Sequence, residues 1–133
     1  PPELPAAVIR FAGDSGDGMQ TVGELFAYAC AAGGLHIRTL PEFPSEIRAP
    51  AGSLPGVSSF QVHFGDESVQ TAGDRVDTLI AMNPAALRVN LDELSRGGTL
   101  IVNRGAFTPE NLKKAGYRSN PLERGNLGRH YRL

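Results

Sequence analysis

The chain has 133 residues, of which 41% are hydrophobic and 20% are charged, values that are ordinary for a soluble protein with one hydrophobic core. Its formal net charge of −1 gives no reason to expect a nucleic acid or a membrane surface as partner. The single cysteine, Cys30, excludes an internal disulfide, an all-cysteine zinc site and an iron–sulfur cluster held by this chain alone.

The chain begins with the pattern of a strand, a glycine turn and a helix. Residues 6–12 form a nearly continuous apolar run, which is typical of a strand buried on both faces. The segment 13–18 contains three glycines, and apolar side chains then recur at helical spacing from Met19 to Cys30. Apolar residues also occupy the other faces of this helix, so we expect it to be covered on most sides. Two glycines at 33–34 end it.

A proline-rich loop separates the next two strands. Residues 35–40 alternate between apolar and polar side chains, which predicts a second strand. Residues 41–56 contain four prolines, which exclude a regular helix or a central strand. Because prolines restrict the free loop, we expect an ordered loop that is held against a partner. Residues 57–64 predict a third strand, and since a loop rather than a helix precedes it, the sheet is either parallel or mixed.

Residues 77–82 predict a fourth strand, and a well-marked helix start follows it. Asn83 is a typical N-cap, and Pro84 suits the first helical position. A stripe of leucines predicts that this helix continues through Leu94 and stops at the two glycines of residues 97–98.

The remaining pattern completes an α/β domain. Residues 99–103 predict a fifth strand, and a second cap-then-proline pair predicts a short helix over residues 108–116. Helices between strands imply parallel crossovers, so we predict a layered α/β fold with a parallel or mixed central sheet and a glycine-rich turn after the first strand. We interpret residues 1–133 as a single domain and, because residues 130–133 read as the opening of another strand, as a fragment of a longer chain. Without a signal peptide or a long apolar stretch, we expect it in the cytoplasm.

The glycine turn is the first candidate for a ligand site. Its pattern over residues 13–18, Gly-x-x-Gly-x-Gly, is not the dinucleotide fingerprint and, without a lysine, is not a P-loop. The backbone N–H groups of residues 16–19 can receive a phosphate, carbonyl or sulfonyl group. Two carboxylates in the turn, Asp14 and Asp17, repel a phosphate unless they point away, bind a metal or cap the helix. The simplest interpretation is that Asp17 or Ser15 is the N-cap.

Two cofactor motifs overlap this turn. Residues 16–18 match the first half of a thiamine diphosphate motif, but residues 40–48 lack the asparagine that would complete its magnesium site. This chain alone is therefore not expected to bind thiamine diphosphate. Residues 15–21 are similar to the phosphate loop of a flavodoxin, so an FMN-binding electron carrier stays an alternative, although the chain has no tryptophan to flank a flavin.

Three histidines and one arginine are further candidates for catalysis or binding. His36, His63 and His130 have no serine, cysteine or carboxylate at motif spacing and are interpreted as structural. Arg48, within the proline-rich loop, either pairs with a neighbouring glutamate or clamps a phosphate or carboxylate, and both interpretations remain open.

Four segments, in this order, resemble the gamma domain of 2-oxoacid:ferredoxin oxidoreductases, and they are residues 13–18, 43–48, 77–87 and 97–103. Each segment is a weak signal alone, but the ordered set is specific and spans nearly the whole chain. The aspartate-containing glycine turn is similar to the N-terminal part of the alpha subunit of 2-oxoglutarate:ferredoxin oxidoreductase, in which the gamma and pyrimidine-binding domains are fused.

The resemblance implies a role in a larger enzyme. Such enzymes decarboxylate a 2-oxoacid on thiamine diphosphate, pass electrons through iron–sulfur clusters to ferredoxin and release an acyl-CoA. It implies that thiamine diphosphate, magnesium and the clusters belong to partner domains, while the gamma domain packs against them at the coenzyme A end. This chain is then expected to be inert alone, without catalytic residues or a metal site, and to serve an enzyme for 2-oxoglutarate. A purely structural scaffold is the remaining alternative.

The resemblance also implies which residues face coenzyme A or a neighbouring domain. They come from the glycine turn, the proline-rich loop and the end of the fourth strand. These residues are Gly13, Ser15, Gly16, Gly18, Met19, Ser45, Arg48 and Asn83.

Overall fold

The structure, a computed structural model, describes residues 6–14, 18–42, 57–65, 75–123, 127 and 131–132. Its strands are β1 (Ala6–Asp14), β2 (His36–Glu42), β3 (Val57–Gly65), β4 (Val76–Ala81) and β5 (Leu94–Val102). Its α-helices are α1 (Met19–Ala32), α2 (Pro84–Asn90) and α3 (Pro109–Lys114), with 3₁₀ turns at Leu91–Glu93 and Arg104–Ala106.

The strands of this described part form one mixed sheet in the order β2-β3-β1-β4-β5. β1, β4 and β5 run parallel to one another, whereas β3 is antiparallel to both β1 and β2. The predicted α/β fold with a parallel or mixed central sheet is confirmed, and the sheet is mixed. Of the predicted glycine-rich turn, residues 13–18, only Gly13, Asp14 and Gly18 lie within the described residues, and the first two belong to β1.

Helices cover both faces of the sheet. On one face, Ala27 of α1 packs in a cluster with Phe60 and Val62 of β3. On the other, α2 and α3 pack on a larger cluster that includes Leu79 and Leu100. Because β1 lies between β3 and β4, its alternating side chains enter both clusters, which explains its nearly continuous apolar sequence.

The predicted end of the second helix is wrong. α2 ends at Asn90, and β5 begins at Leu94, before the predicted glycine stop at residues 97–98. The side-chain Nδ2 of Asn90 donates a hydrogen bond to the Ala86 carbonyl at 2.8 Å, while Leu94 pairs with Val76 of β4 and is buried. The predicted leucine stripe is therefore divided between a helix, which contains Leu87, and a strand, which begins at Leu94. Pairing within the sheet overrides the helical spacing of these leucines.

The predicted start of the proline-rich loop is also wrong by two residues. β2 continues through Pro41 to Glu42 and pairs with β3 along its whole length. β2 lies at the edge of the sheet, where a proline lacking an N–H group is tolerated. The rest of the loop, residues 43–56, lies outside the described residues.

α1 is buried on one side only, which contradicts the expectation that it is covered on most sides. Its buried residues are Met19, Gly23, Ala27 and Cys30. Val22, Leu25 and Tyr28 remain exposed. The reason is geometric, since a helix on a sheet buries a single stripe and nothing else in the described part of the chain reaches its opposite side.

The last described residues lie beside β5. Arg132 forms an isolated parallel bridge with Thr99. The Leu100 N–H donates to the Arg132 carbonyl at 2.6 Å, and the Arg132 N–H donates to the Gly98 carbonyl at 2.7 Å. The pairing at this one residue agrees with the strand opening predicted over residues 130–133, of which 131 and 132 are described.

Candidate functional site

The carboxyl ends of three parallel strands meet at one edge of the sheet. The Ala12 carbonyl of β1 accepts a hydrogen bond from the Met82 N–H at 2.9 Å, and the Ala81 carbonyl of β4 accepts one from the Asn103 N–H at 3.3 Å. Residue 13, near the end of β1, therefore lies beside residues 82–83 and 103, which follow β4 and β5, and we call these residues the carboxyl edge. In α/β sheets, ligands bind outside the carboxyl ends of parallel strands.

Gly18 is the N-cap of α1, where it adopts a left-handed conformation with φ of 72°. The prediction that Asp17 or Ser15 caps this helix is wrong, because this backbone conformation suits glycine and places Gly18 itself at the cap. Without a side chain, Gly18 offers no acceptor to the amide groups of the first turn. Among the described residues, no atom would lie within 4 Å of a Cβ added at Gly18, so in this part of the chain the space beside the cap is open.

Met19 and Gly13 offer backbone groups rather than side chains. The Met19 side chain is buried, so the group that Met19 offers at the first position of α1 is its backbone N–H. Gly13 is buried in the sheet and pairs with Ser58 of β3. A ligand that reaches either residue is therefore contacted through the main chain.

Asn83 is the N-cap of α2, as predicted from the sequence. Its side-chain oxygen accepts a hydrogen bond from the Ala86 N–H at 2.8 Å, and Pro84 occupies the first helical position. The side chain is nearly buried, so its oxygen is committed to the helix end. Asn83 lies at the carboxyl edge, and its primary role in the fold is to hold the start of α2 there.

The structure describes four of the eight sequence-predicted site residues: Gly13, Gly18, Met19 and Asn83. It brings Gly13 and Asn83 to the same edge, and Gly18 begins the helix that leaves β1. The other four lie outside the described residues, and they are Ser15, Gly16, Ser45 and Arg48.

Sequence reasoning missed two polar residues near this edge. Asn103 follows β5 as Asn83 follows β4, and this repeated strand-then-asparagine pattern is the signal that could have found it. Gln20 in the first turn of α1 donates from its amide nitrogen to the Ser59 carbonyl of β3 at 2.8 Å. That contact joins residues that are far apart in the chain, so no local sequence pattern predicts it.

Cysteine is the most nucleophilic type of side chain in the described part of the chain, but Cys30 is buried in an environment that makes it unreactive. Burial raises the pKa of the Cys30 thiol above its usual value, so the thiol stays protonated at neutral pH. Among the described residues, no three histidine, cysteine, aspartate or glutamate side chains are grouped so as to hold a metal ion. Within the same ranges, no helix has the length and apolar character needed to cross a membrane.

A cleft of about 690 Å³ lies beside α3, lined by Phe107, Leu112 and Tyr117 among others. The Arg88 guanidinium lies 5.3 Å from the centre of the Tyr117 ring. Burial raises the pKa of Tyr117, the positive charge of Arg88 lowers it and the negative charge of Asp92 raises it. None of the four described site residues lines this cleft.

Comparison with known proteins gives consistent matches. The family model described as pyruvate ferredoxin/flavodoxin oxidoreductase matches residues 8–127. The 2-oxoglutarate oxidoreductase subunit KorA of Mycobacterium tuberculosis is 57% identical over 124 residues, which are 93% of this chain and 19% of that subunit. The chain thus spans about a fifth of the length of the curated relatives it matches.

Solved structures show the same likeness. The 2-oxoglutarate:ferredoxin oxidoreductase from Magnetococcus marinus, with 2-oxoglutarate, coenzyme A and succinyl-CoA bound, matches with a TM-score of 0.68 and 32% identity, over 80% of this chain and 18% of that chain. The gamma subunit of a keto/oxoacid ferredoxin oxidoreductase from Geobacter sulfurreducens matches with a TM-score of 0.58 and 26% identity, over 74% of this chain and 51% of that chain.

Proposed function

Because this chain belongs to the pyruvate ferredoxin/flavodoxin oxidoreductase family, we propose that it is the gamma-type domain of a 2-oxoacid:ferredoxin oxidoreductase acting on 2-oxoglutarate. The observation that carries the proposal is the 57% identity to the Mycobacterium 2-oxoglutarate oxidoreductase subunit over 93% of this chain. The whole enzyme would release carbon dioxide from 2-oxoglutarate, transfer the remaining acyl group to coenzyme A and pass two electrons to ferredoxin.

The donor atoms of this chain do not fit the redox centre of such an enzyme. An iron–sulfur cluster is held by several cysteine thiolates, whereas Cys30 is the single cysteine and lies buried in α1 as a thiol. The thiamine diphosphate motif is likewise incomplete in the sequence. We therefore assign thiamine diphosphate, magnesium and the clusters to other domains or subunits, with ferredoxin as the electron acceptor of the complete enzyme.

The carboxyl edge and the start of α1 fit one end of coenzyme A. A helix start presents free N–H groups and a partial positive charge, which favour a phosphate or carbonyl oxygen. α1 has 14 residues, and in the described part of the chain the space beside Gly18 at its start is open. The Magnetococcus relative, which matches over 80% of this chain, is a structure with coenzyme A bound. Ser15, Gly16, Ser45 and Arg48 belong to this proposal on sequence grounds alone.

A matched pair of glycine substitutions tests the coenzyme A contact in the complete oxidoreductase. Gly18→Asn keeps the left-handed backbone, which asparagine tolerates, and adds a side chain to the open space at the helix start. We expect it to raise the Kd for coenzyme A, measured calorimetrically, by about tenfold or more, which corresponds to about 1.4 kcal/mol.

Gly34→Asn is the control for this test. Gly34 lies just beyond the other end of α1, has φ of 89° and also has no atom within 4 Å of an added Cβ. The same substitution there is expected to leave the Kd for coenzyme A unchanged. Equal Kd values for the two variants and the unsubstituted enzyme would contradict the coenzyme A contact and leave the domain as a structural scaffold.

A further inference from the structure

The side of α1 that points away from the sheet is mostly apolar, and its exposed polar residues are Thr21 and Glu24. Val22, Leu25 and Tyr28 are 41%, 65% and 76% exposed, and Ala29 and Ala32 are exposed beside them. We call these five residues the outer face of α1. Three of the large apolar side chains that are exposed in the described part of the chain thus lie on a single helix.

The outer face lacks the charges that a solvated helix surface carries. Glu24 is the only charged residue of α1, and the helix has no acidic residue in its first turn and no basic residue in its last. A helix with apolar residues on all sides is normally buried on all sides. The composition of α1 therefore fits a helix between two layers, of which the described part of the chain supplies one.

α1 cannot rotate to bury its outer face in this domain. Gly23 contacts β3 so closely that an added Cβ would lie 2.2 Å from Cδ1 of Phe60. Phe26, on the same side of the helix, packs against Phe11 and Phe64 with ring centres 5.5 and 5.4 Å apart. These contacts fix the rotation of the helix, so the outer face stays outward.

We propose that the outer face of α1 docks against an apolar surface of a neighbouring domain of the same oxidoreductase. This inference rests on the proposed function. In the Magnetococcus relative the matched region is 18% of one chain, so most of that polypeptide is tethered beside it. A tethered domain acts at an effective concentration in the millimolar range, far above that of a second free copy. Because the Glu24 carboxylate lies one turn from Tyr28, we expect a basic side chain near it on the docking surface.

Photo-crosslinking in the complete oxidoreductase tests the docking. A benzoylphenylalanine residue replaces Leu25 in one variant and Glu110 in the control, where Glu110 is an exposed residue of α3 outside the outer face. We expect the Leu25 position to crosslink to a peptide from another domain of the enzyme and the Glu110 position to give no such product. A crosslink to a second copy of this domain, or none, would overturn the proposal.

A charge substitution gives a second readout. With the photo-crosslinker at Tyr28, Leu25→Arg is expected to reduce the crosslink yield about tenfold or more, since an arginine would be buried against an apolar surface. Val89→Arg, on the exposed side of α2, is the matched control and should leave the yield unchanged. Equal yields in both variants would refute the docking.

The docking and the proposed function can be refuted by different results. Ferredoxin reduction with 2-oxoglutarate and coenzyme A is assayed in the same preparation of the unsubstituted enzyme. An active enzyme without the Leu25 crosslink refutes the docking alone. An inactive enzyme refutes the proposed function and, because the docking rests on it, the assignment of the partner domain.

Discussion

Replacing Gly23 by alanine is expected to lower the free energy of unfolding by about 2 kcal/mol or more, although alanine favours a helix by about 1 kcal/mol over glycine. The added Cβ would lie 2.2, 2.4 and 2.7 Å from Cδ1, Cγ and Cβ of Phe60. Because the clash includes the Phe60 Cβ, rotating the ring cannot remove it, and α1 must move away from β3. Urea denaturation of both proteins measures the difference.

Gly33→Ala is the control for this prediction. An added Cβ at Gly33 meets its nearest atoms at 3.5 Å, an ordinary contact, and the backbone has a negative φ of −82°. Its free energy of unfolding should change by less than about 0.5 kcal/mol. In a Phe60→Ala background the cost of Gly23→Ala should fall but not vanish, because alanine removes Cδ1 and Cγ and keeps the Cβ that lies 2.7 Å from the added atom. An unchanged cost there would show that Phe60 is not what excludes a side chain at Gly23.

Replacing Arg10 by methionine is expected to lower the free energy of unfolding by about 3 kcal/mol. Arg10 is 5% exposed in the middle of β1, and its guanidinium donates to the side-chain oxygens of Gln61, Asn90 and Glu93. The Nη1–Oδ1 distance to Asn90 is 3.0 Å, and the Nη2–Oε2 distance to Glu93 is 2.5 Å. Methionine fills the volume but removes the donor from two buried amide oxygens.

Two comparisons define what Arg10 contributes. Arg10→Lys should also be destabilising, because one ammonium group cannot replace a planar guanidinium that bridges three partners. Arg38→Met is the control, since Arg38 is exposed and donates to the Ile37 carbonyl of its own strand. Equal free energies of unfolding for Arg10→Met and Arg38→Met would contradict the bridging role of Arg10.

Local patterns in the sequence predicted most of the fold. The alternating and continuous apolar runs marked the five described strands to within a few residues, apart from the start of β5. The cap-then-proline pairs marked α2 and α3, and the Asn83 and Thr108 side chains make the capping hydrogen bonds those pairs predict. These features depend on neighbours only three residues apart, so the sequence is sufficient to reveal them.

The errors came from contacts between distant parts of the chain. Leu94 fits a helical stripe by spacing, but it belongs to β5 because it pairs with Val76. Arg10 bonds to residues 51 to 83 positions away, and no local pattern predicts a buried arginine within an apolar strand. The sequence did not predict that one side of α1 is exposed. The spacing of apolar residues cannot distinguish a helix surface that packs on its own sheet from one that this sheet does not cover.

The candidate site was predictable in part. The position of Asn83 at the end of a parallel strand follows from the strand-helix order, whereas the N-cap at Gly18 depends on a left-handed backbone that no residue pattern in the turn required. Gly18, Asn83 and the carboxyl edge are the described part of the proposed coenzyme A contact. Ser45 and Arg48 enter it only as sequence predictions.

Ferredoxin reduction with 2-oxoglutarate and coenzyme A, measured in parallel for the complete oxidoreductase and for the isolated 133-residue chain, tests the central claim most directly. We predict that the complete enzyme reduces ferredoxin and forms succinyl-CoA, while the isolated chain, with one buried cysteine and no assembled redox centre of its own, does neither. Ferredoxin reduction by the isolated chain, or its absence in the complete enzyme, would contradict the assignment.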